Sequence, residues 1–114
     1  MGECREGATY ICHLGLQRSR ATAEALRSKG IKAKHFEGGT DRLTKLSPNE
    51  IKKELGKSPV TLIYDMSGSD DQFNNKEKAL EKLKAAGIKP DVVDIATIAA
   101  CLHDNGLDIN DFLY

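Results

Sequence analysis

The order of apolar and polar positions divides the first half of the chain into segments of alternating strand and helix character. The β-branched and aromatic run Ala8–Ile11 predicts a strand, and the Ala- and Leu-rich residues 20–29 predict the helix that follows it. Alternating side chains over residues 32–36 predict a second strand. Residues 47–50 place serine, proline and glutamate at the spacing of a capping box, which predicts a short helix that ends at Gly56.

The second half of the chain continues this alternation. The uninterrupted apolar run Val60–Tyr64 predicts a central strand that is covered on both faces. Ser, Gly and Asn between positions 67 and 75 predict a loop, and Ala and Leu at helical spacing over residues 75–86 predict an amphipathic helix. Asp91–Asp94 predicts a fourth strand, and apolar positions within residues 95–102 predict one face of a last helix.

The order of these elements predicts the fold class. The last helix ends near Gly106, and residues 107–114 show no defined pattern. Each predicted strand is followed by a helix, and such an order places helices on both faces of a parallel sheet. We therefore expect an α/β fold, a three-layer α/β/α sandwich around a small four-stranded parallel sheet.

Length and charge narrow the functional classes. The chain has 114 residues with 17 basic and 17 acidic side chains, so we interpret residues 1–114 as one domain without net charge. Non-specific nucleic-acid binding needs many Lys and Arg contacts to phosphates, so neutrality disfavours a nucleic-acid partner. The apolar stretches are far shorter than the roughly 20 residues that span a bilayer, and the N-terminus has no apolar signal core. We expect a cytoplasmic monomer or weak dimer without a membrane partner.

The three cysteines favour a reducing compartment over a disulfide framework, because their number is odd and no export signal precedes them. A metal site built from Cys4, Cys12, Cys101 and His103 is an alternative. The Cys101-x-His103 pair has no matching close pair elsewhere, whereas zinc sites usually present one, so we expect no metal. The helical pattern places Cys101 on the buried side of the last helix and His103 on its wet side.

The most informative segment lies between the first strand and the first helix. Five residues separate Cys12 from Arg18, and Ser19 follows, so the segment has the form C-x5-R-S. A spacer of this length lets backbone N–H groups curl around a tetrahedral anion, and the following helix directs its positive N-terminus into the same cup. The predicted phosphate-binding residues are His13, Leu14, Gly15, Leu16, Gln17, Arg18 and Ser19.

Each chemical group of this segment has a predicted role and a structural alternative. The Arg18 guanidinium suits two phosphate oxygens, and nearby positive charge stabilises a Cys12 thiolate beneath a bound phosphate. Ser19 either donates its hydroxyl to the sulfur or caps the helix. The structural alternative makes Cys12 a small core residue and Arg18 a solvated helix start. The strand before and the helix after the segment favour the functional interpretation.

This segment resembles the nucleophile loop of the low-molecular-weight protein tyrosine phosphatase family, which also follows the first strand. The resemblance is specific over residues 8–12 and 18–19, and it continues at residues 23–26, which are similar to the family's R-S-P-x-A-E-A run. Weaker similarity includes residues 38–41 and 62–66, so about the first 66 residues are covered. Only eleven residues precede the cysteine, whereas several strands precede it in rhodaneses and in the larger tyrosine phosphatases.

Several differences from the family pattern affect the expected chemistry. Gly15 stands where the family commonly has asparagine, Gln17 where it has a second cysteine, and Arg20 where it has proline. The family's general acid is an aspartate in an Asp-Pro motif after the last strand, and this chain contains no Asp-Pro. Asp94 is the nearest positional match, and Asp65 is the second candidate. Each also has a capping interpretation, Asp94 at the last helix and Asp65 in a loop.

The resemblance implies a cysteine-dependent phosphatase with a low-molecular-weight tyrosine phosphatase-like fold. Cys12 attacks the phosphorus of a phosphomonoester, Arg18 and the loop amides stabilise the equatorial oxygens, and an aspartic acid protonates the leaving group. Water then hydrolyses the cysteinyl-phosphate. The implied substrate is a phosphorylated protein or a small phosphomonoester, and the reaction needs no metal or organic cofactor.

Two other functions remain open on the same fold. One is a thiol or phosphoryl carrier of the arsenate reductase or phosphotransferase type. Arg18 disfavours a phosphocarrier, and Cys101 alone is too little for the relay of an arsenate reductase. The other is a phosphate-binding pseudo-phosphatase, which only the missing Asp-Pro motif supports.

Overall fold

A computed structural model describes residues 7–12, 18–56, 58–64 and 70–112 of the chain. Its strands are β1 (Ala8–Ile11), β2 (Ala33–His35), β3 (Val60–Tyr64) and β4 (Asp91–Asp94). Its helices are α1 (Arg18–Ser28), α2 (Gly39–Leu43), α3 (Pro48–Leu55), α4 (Asp70–Ala85) and α5 (Ile95–Asp104), followed by a 3₁₀ turn at Ile109–Asp111. The predicted alternation of strands and helices is confirmed over these residues.

The four strands form one sheet in the spatial order β2-β1-β3-β4. All three strand pairs are parallel. In their register, Ile11 pairs with Leu62 and Tyr64 pairs with Asp94. The carboxyl ends of the strands therefore lie at one common edge. The predicted four-stranded parallel sheet is confirmed, and β3 has a strand on each side, as its apolar run indicates.

Apolar side chains cover both faces of the sheet. α1 and α5 pack on one face, where Tyr10, Leu26 and Ile98 are fully buried. α2, α3 and α4 pack on the other face around Ile11 and Leu62. Tyr10 and Ile11 belong to different clusters because successive residues of a strand point to opposite faces. The sheet thus lies between two layers of helices, as predicted.

The helix boundaries differ from the sequence prediction at three places. α1 begins at Arg18, before the predicted start at residue 20. α4 begins at Asp70, so the prediction of a loop is wrong for residues 70–74. The chain has acidic residues at the start of α4, and such residues suit the positive end of a helix. The pattern also does not predict α2, which is only five residues long.

The capping box predicted at the start of α3 is confirmed. The N–H of Glu50 donates to Ser47 Oγ at 3.2 Å, and the N–H of Ser47 donates to Glu50 Oε1 at 3.0 Å. The hydrogen bond from the Ser47 backbone lowers the pKa of Glu50, because it favours the charged carboxylate.

Ser47→Ala is expected to destabilise the protein by about 1 kcal/mol in urea unfolding at neutral pH, because α3 loses a side-chain cap. The lowered pKa of Glu50 gives this stabilisation a pH dependence. The contribution of its carboxylate is complete above the unfolded-state pKa and disappears as the pH falls through the folded-state pKa. The free energy of unfolding of Glu50→Gln should therefore be lower than that of the wild type at neutral pH and equal to it in acid.

Thr97→Ala is the control for this prediction, because Thr97 is exposed on α5. We expect its stability to stay within about 0.5 kcal/mol of the wild type. Equal losses in Ser47→Ala and Thr97→Ala would contradict the stabilising role of the capping box.

Candidate active site

The strand order of the sheet reverses at β1. The chain places β2 on one side of β1 and then returns to place β3 on the other side. In open parallel sheets, ligands bind in the crevice outside the carboxyl ends of the two strands at such a reversal. Cys12 directly follows β1, so the topology alone brings the predicted nucleophile to this crevice.

Cys12 contacts the first turn of α1. Its side chain is buried and is a free thiol. The thiol donates to Ser19 Oγ at 3.3 Å, and the backbone N–H of Ser19 donates to the sulfur at 3.5 Å. A sulfur that receives an N–H at a helix N-terminus lies where the helix dipole favours negative charge. The structure thus shows the predicted contact between Cys12 and Ser19, but the thiol is the donor and the Ser19 hydroxyl the acceptor.

Small side chains allow α1 to lie close to the sheet. The buried residues of α1 are Ser19, Ala21, Thr22, Ala23, Ala25 and Leu26. Because Ala and Ser extend only a short way from the helix, the backbone of α1 approaches β1 closely enough for the sulfur contact. Thr22 Oγ1 donates to the Arg18 carbonyl at 2.7 Å and braces the first turn.

Ser19 and Arg18 both lie inside α1. Arg18 is its first residue and Ser19 its second. The interpretation of Ser19 as the N-cap is therefore wrong, because the helix begins before it. The buried hydroxyl of Ser19 instead contacts Cys12 and accepts from its thiol, whereas the sequence predicts that it donates to the sulfur.

A further contact reaches Cys12 from α2. The N–H of Thr40 donates to the Cys12 carbonyl at 2.9 Å, and Thr40 is buried. Gly38 and Gly39, where α2 begins, have φ values of 85° and 61°. These left-handed conformations favour glycine. A Cβ on Gly38 would also lie 2.6 Å from the Cβ of Arg42. The glycine pair is the sequence signal for this contact, which the pattern of apolar residues did not reveal.

Arg42 anchors α2 to its surroundings. Its Nη1 and Nη2 donate to the two carboxylate oxygens of Glu54 at 2.7 Å and 2.8 Å, and Nη1 also donates to the Glu37 carbonyl at 3.1 Å. The hydrogen bond with Glu54 raises the pKa of Arg42. The guanidinium also lies 4.8 Å from the centroid of the Phe36 ring. These contacts hold α2 against α3 and support the Thr40 contact with Cys12.

Asp94 lies at the same edge of the sheet, at the end of β4. Its carboxylate accepts a hydrogen bond from the Ala96 N–H at 2.8 Å and caps α5. The interpretation of Asp94 as the N-cap of the last helix is confirmed. Strand β4 is two positions from β1 in the sheet, about 10 Å at the usual strand spacing. Its role as a general acid stays a prediction.

The other predicted site residues lie outside the described residues. They are His13, Leu14, Gly15, Leu16, Gln17 and the second candidate acid, Asp65. The prediction that residues 13–17 form a phosphate-binding loop therefore stays a prediction. The described residues give the two ends of that segment, Cys12 after β1 and Arg18 at the start of α1.

Tyr64 and Lys76 form a contact that the sequence did not predict. Tyr64 ends β3 at the carboxyl edge of the sheet, and its side chain is half-buried. The Lys76 ammonium lies 4.5 Å from the centroid of the Tyr64 ring, within the range of a cation–π contact. The Tyr64 ring, with the Lys76 ammonium over its face, therefore lies at the carboxyl edge of the sheet.

The placement of Cys101 and His103 is as predicted, but the chemical state of Cys101 is not. Cys101 and His103 occupy the buried and exposed sides of α5 as predicted. Cys101 is disulfide-bonded, so the expectation that the cysteines are thiols is wrong for this residue. Over the described ranges, no group of three or more His, Cys, Asp or Glu side chains is arranged to hold a metal ion.

No helix of the described part of the chain combines the length and the apolar character that a membrane span requires.

In comparisons with known proteins, no family model matches the chain, and neither does any curated protein or solved structure. The likeness to a phosphatase family therefore rests on the sequence resemblance over about the first 66 residues, which is specific at the C-x5-R-S segment.

Proposed function

We propose that this protein is a cysteine-dependent phosphatase that hydrolyses a phosphomonoester through a cysteinyl-phosphate intermediate. The observation that carries the proposal is the position of Cys12 Sγ, which lies at the reversal of strand order and contacts Ser19 at the start of α1. Arg18 precedes Ser19 in the same turn. A sulfur nucleophile, a helix N-terminus and an arginine in the first turn of that helix are the groups that phosphoryl transfer needs.

The first chemical step transfers the phosphoryl group to the protein. The Cys12 thiolate attacks phosphorus in line with the ester oxygen, so an S–P bond forms as the P–O bond breaks. Arg18 and the backbone N–H groups of the loop stabilise the equatorial oxygens of the transition state. A carboxylic acid, Asp94 or Asp65, gives its proton to the departing oxygen.

The second step returns the free enzyme. The same carboxylate takes a proton from water, which attacks phosphorus and releases the Cys12 thiolate and inorganic phosphate. Ser19 stabilises the thiolate as a leaving group, because its N–H already points at the sulfur and its hydroxyl becomes the donor once the thiol has lost its proton. No step requires a metal or an organic cofactor.

The substrate class follows from the resemblance to low-molecular-weight protein tyrosine phosphatases. We propose a phosphorylated tyrosine of a protein or a small phosphomonoester as the substrate of an enzyme that acts as a monomer or weak dimer. The cytoplasmic location that the sequence favours stays a prediction, and the disulfide of Cys101 weighs against it, because disulfides are rare in reducing compartments. A chain with 17 basic and 17 acidic side chains fits such a substrate better than a nucleic acid.

A second candidate function is a phosphate-binding pseudo-phosphatase. The capping role of the Asp94 carboxylate favours it, because this candidate acid is already engaged by the Ala96 N–H at the start of α5. Such a protein binds phosphate at the Cys12 loop but does not turn over. A thiol or phosphoryl carrier on the same fold would differ from both, because it would receive its group from a donor other than a phosphomonoester.

Hydrolysis of para-nitrophenyl phosphate between about pH 5 and pH 8 tests the proposed function. We expect turnover that persists in a metal chelator and that vanadate inhibits, since vanadate mimics the transferring phosphoryl group. Vanadate binding without turnover would favour the pseudo-phosphatase or the carrier. The absence of both turnover and vanadate binding would contradict a phosphate site altogether.

Asp94→Asn separates the acid role of this residue from its capping role, because asparagine caps a helix as well as aspartate does. We expect kcat to fall by about a hundredfold while the thermal unfolding temperature is unchanged. Asp94→Ala should lose both turnover and stability. Unchanged kcat in Asp94→Asn together with a loss in Asp65→Asn would transfer the acid role to Asp65.

A further inference from the structure

A shallow groove runs along the amino edge of the sheet, opposite the edge that carries Cys12. One depression of about 550 Å³ lies over the starts of β1 and β2 and includes Ile31 and Ser58. A second depression of about 650 Å³ lies over the start of β3 beside the ends of α3 and α4, and it also includes Ser58. The two depressions meet at Ser58, and together we call them the amino-edge groove.

The rim of the amino-edge groove is positively charged. Its cationic residues are Arg27, Lys32, Lys34, Lys52 and Lys89. All five are exposed, and no described residue that lines the groove is acidic. Within the described part of the chain, none of the five forms an ion pair. The groove therefore concentrates uncompensated positive charge on a chain that is neutral as a whole.

Structural roles account for only some of these five cations. Arg27 and Lys52 lie near the ends of α1 and α3, where cations complement the negative helix terminus. Lys34 lies on the edge strand β2, where a lysine discourages strand pairing. Lys32 and Lys89 precede β2 and β4, so they neither lie at the end of a helix nor belong to an edge strand. These two cations are available to a bound anion.

The floor of the groove is apolar. Ile31 and Ile88 are half-buried, and Ala33 and Val60 lie beneath them as part of the core. No described lining residue is aromatic, so the groove offers no ring on which a nucleic-acid base would stack. An apolar floor with a cationic rim instead matches a peptide that carries aliphatic and carboxylate side chains.

We propose that the amino-edge groove binds an acidic, leucine-containing peptide segment of a partner protein. The aliphatic side chains of the segment lie against Ile31 and Ile88, and its carboxylates face Lys32 and Lys89. The groove reaches from the start of β2 to the chain just before β4, three strand spacings or about 14 Å, so an extended segment of about four residues spans it. Because Cys12 is at the opposite edge, partner and substrate bind at the same time. This surface does not depend on the proposed catalytic activity.

A titration of the isotope-labelled full chain with a synthetic peptide of alternating Glu and Leu tests the proposal by amide NMR. The reporters are the N–H groups of Gly30, Ser58 and Gly87, which line the groove. A peptide with Gln in place of Glu is the ligand control. The double variant Lys32→Glu/Lys89→Glu reverses the charge of the two lysines that are proposed to face the carboxylates of the peptide.

The matched control variant is Lys45→Glu/Lys78→Glu, which makes the same charge change at two exposed lysines outside the groove. We expect shifts at the three reporter amides, a dissociation constant at least about tenfold higher in Lys32→Glu/Lys89→Glu, and a change within about twofold in the control variant.

Three results would overturn the proposal. The first is the absence of shifts at the reporter amides. The second is equal binding of the Gln peptide, which would exclude charge recognition. The third is tighter binding at these amides by an RNA oligonucleotide or by vesicles of anionic lipid, which would assign the surface to another class of partner.

Discussion

Cys12→Ser is expected to lower the turnover of para-nitrophenyl phosphate more than about a thousandfold, because a serine hydroxyl is not ionised and is a far weaker nucleophile than a thiolate. The contact with Ser19 should survive, since serine is close in size to cysteine and its oxygen can still pair with the Ser19 hydroxyl and N–H. The variant should therefore fold normally and still bind vanadate or phosphate.

Cys101→Ser is the cysteine control for this variant. Cys101 is buried on α5 and disulfide-bonded, so the same substitution there tests the loss of a buried sulfur together with its cross-link. We expect Cys101→Ser to keep its turnover, whatever it loses in thermal stability. Retained turnover in Cys12→Ser, or an equal loss in both variants after correction for unfolded protein, would contradict the assignment of Cys12 as the nucleophile.

Arg18→Lys is expected to lower kcat/KM by about a hundredfold to a thousandfold. Lysine keeps the positive charge but loses the planar fork that donates to two phosphate oxygens at once. Arg18 is the first residue of α1, one position before the residue that contacts the sulfur. In the proposed mechanism, a bidentate contact from this position holds the phosphoryl group against Cys12.

Arg20→Lys is the control for the arginine prediction. Arg20 lies on the same helix and pairs with Glu24 at 3.3 Å, so the substitution tests a helix ion pair away from the sulfur. We expect kcat/KM to change by less than about twofold, since such a pair contributes little to stability. Similar losses in Arg18→Lys and Arg20→Lys would show that Arg18 acts through the helix rather than on phosphate.

Strands β1, β3 and β4 are predictable because they contain β-branched or aromatic residues that follow a turn residue, and β2 is predictable from its alternating side chains. The apolar run Val60–Tyr64 indicates a central strand because parallel sheets bury both faces of such a strand. Ser47 and Glu50 indicate α3 because they act on neighbouring backbone groups. In each of these cases the information is local to the segment.

The missed features depend on contacts between distant segments. α2 is a five-residue helix that depends on Gly38, Gly39 and the hydrogen bond from Thr40 to Cys12, and no local periodicity indicates such an element. The cation–π contact of Tyr64 with Lys76 joins β3 to α4 across the fold. Likewise, the amino-edge groove brings together cations from four parts of the chain.

The site also contains features that local sequence predicts and features that only the folded structure shows. The contact of Cys12 with Ser19 was predictable, because a strand followed by a short loop and a helix brings those two residues together. Asp94 illustrates the opposite case. Its sequence position allowed both an acid and a cap, and only the hydrogen bond from Ala96 shows that it caps α5.

Trapping the covalent intermediate tests whether Cys12 is the nucleophile. Wild-type protein mixed with para-nitrophenyl phosphate is quenched in acid within the first turnovers, and its peptides are then analysed by mass spectrometry. A cysteinyl-phosphate intermediate predicts the added mass of one phosphoryl group on the peptide that carries Cys12, and no such adduct in Cys12→Ser. An enzyme that turns over substrate with no phosphorylated Cys12, or with the phosphoryl group on another residue, would contradict it.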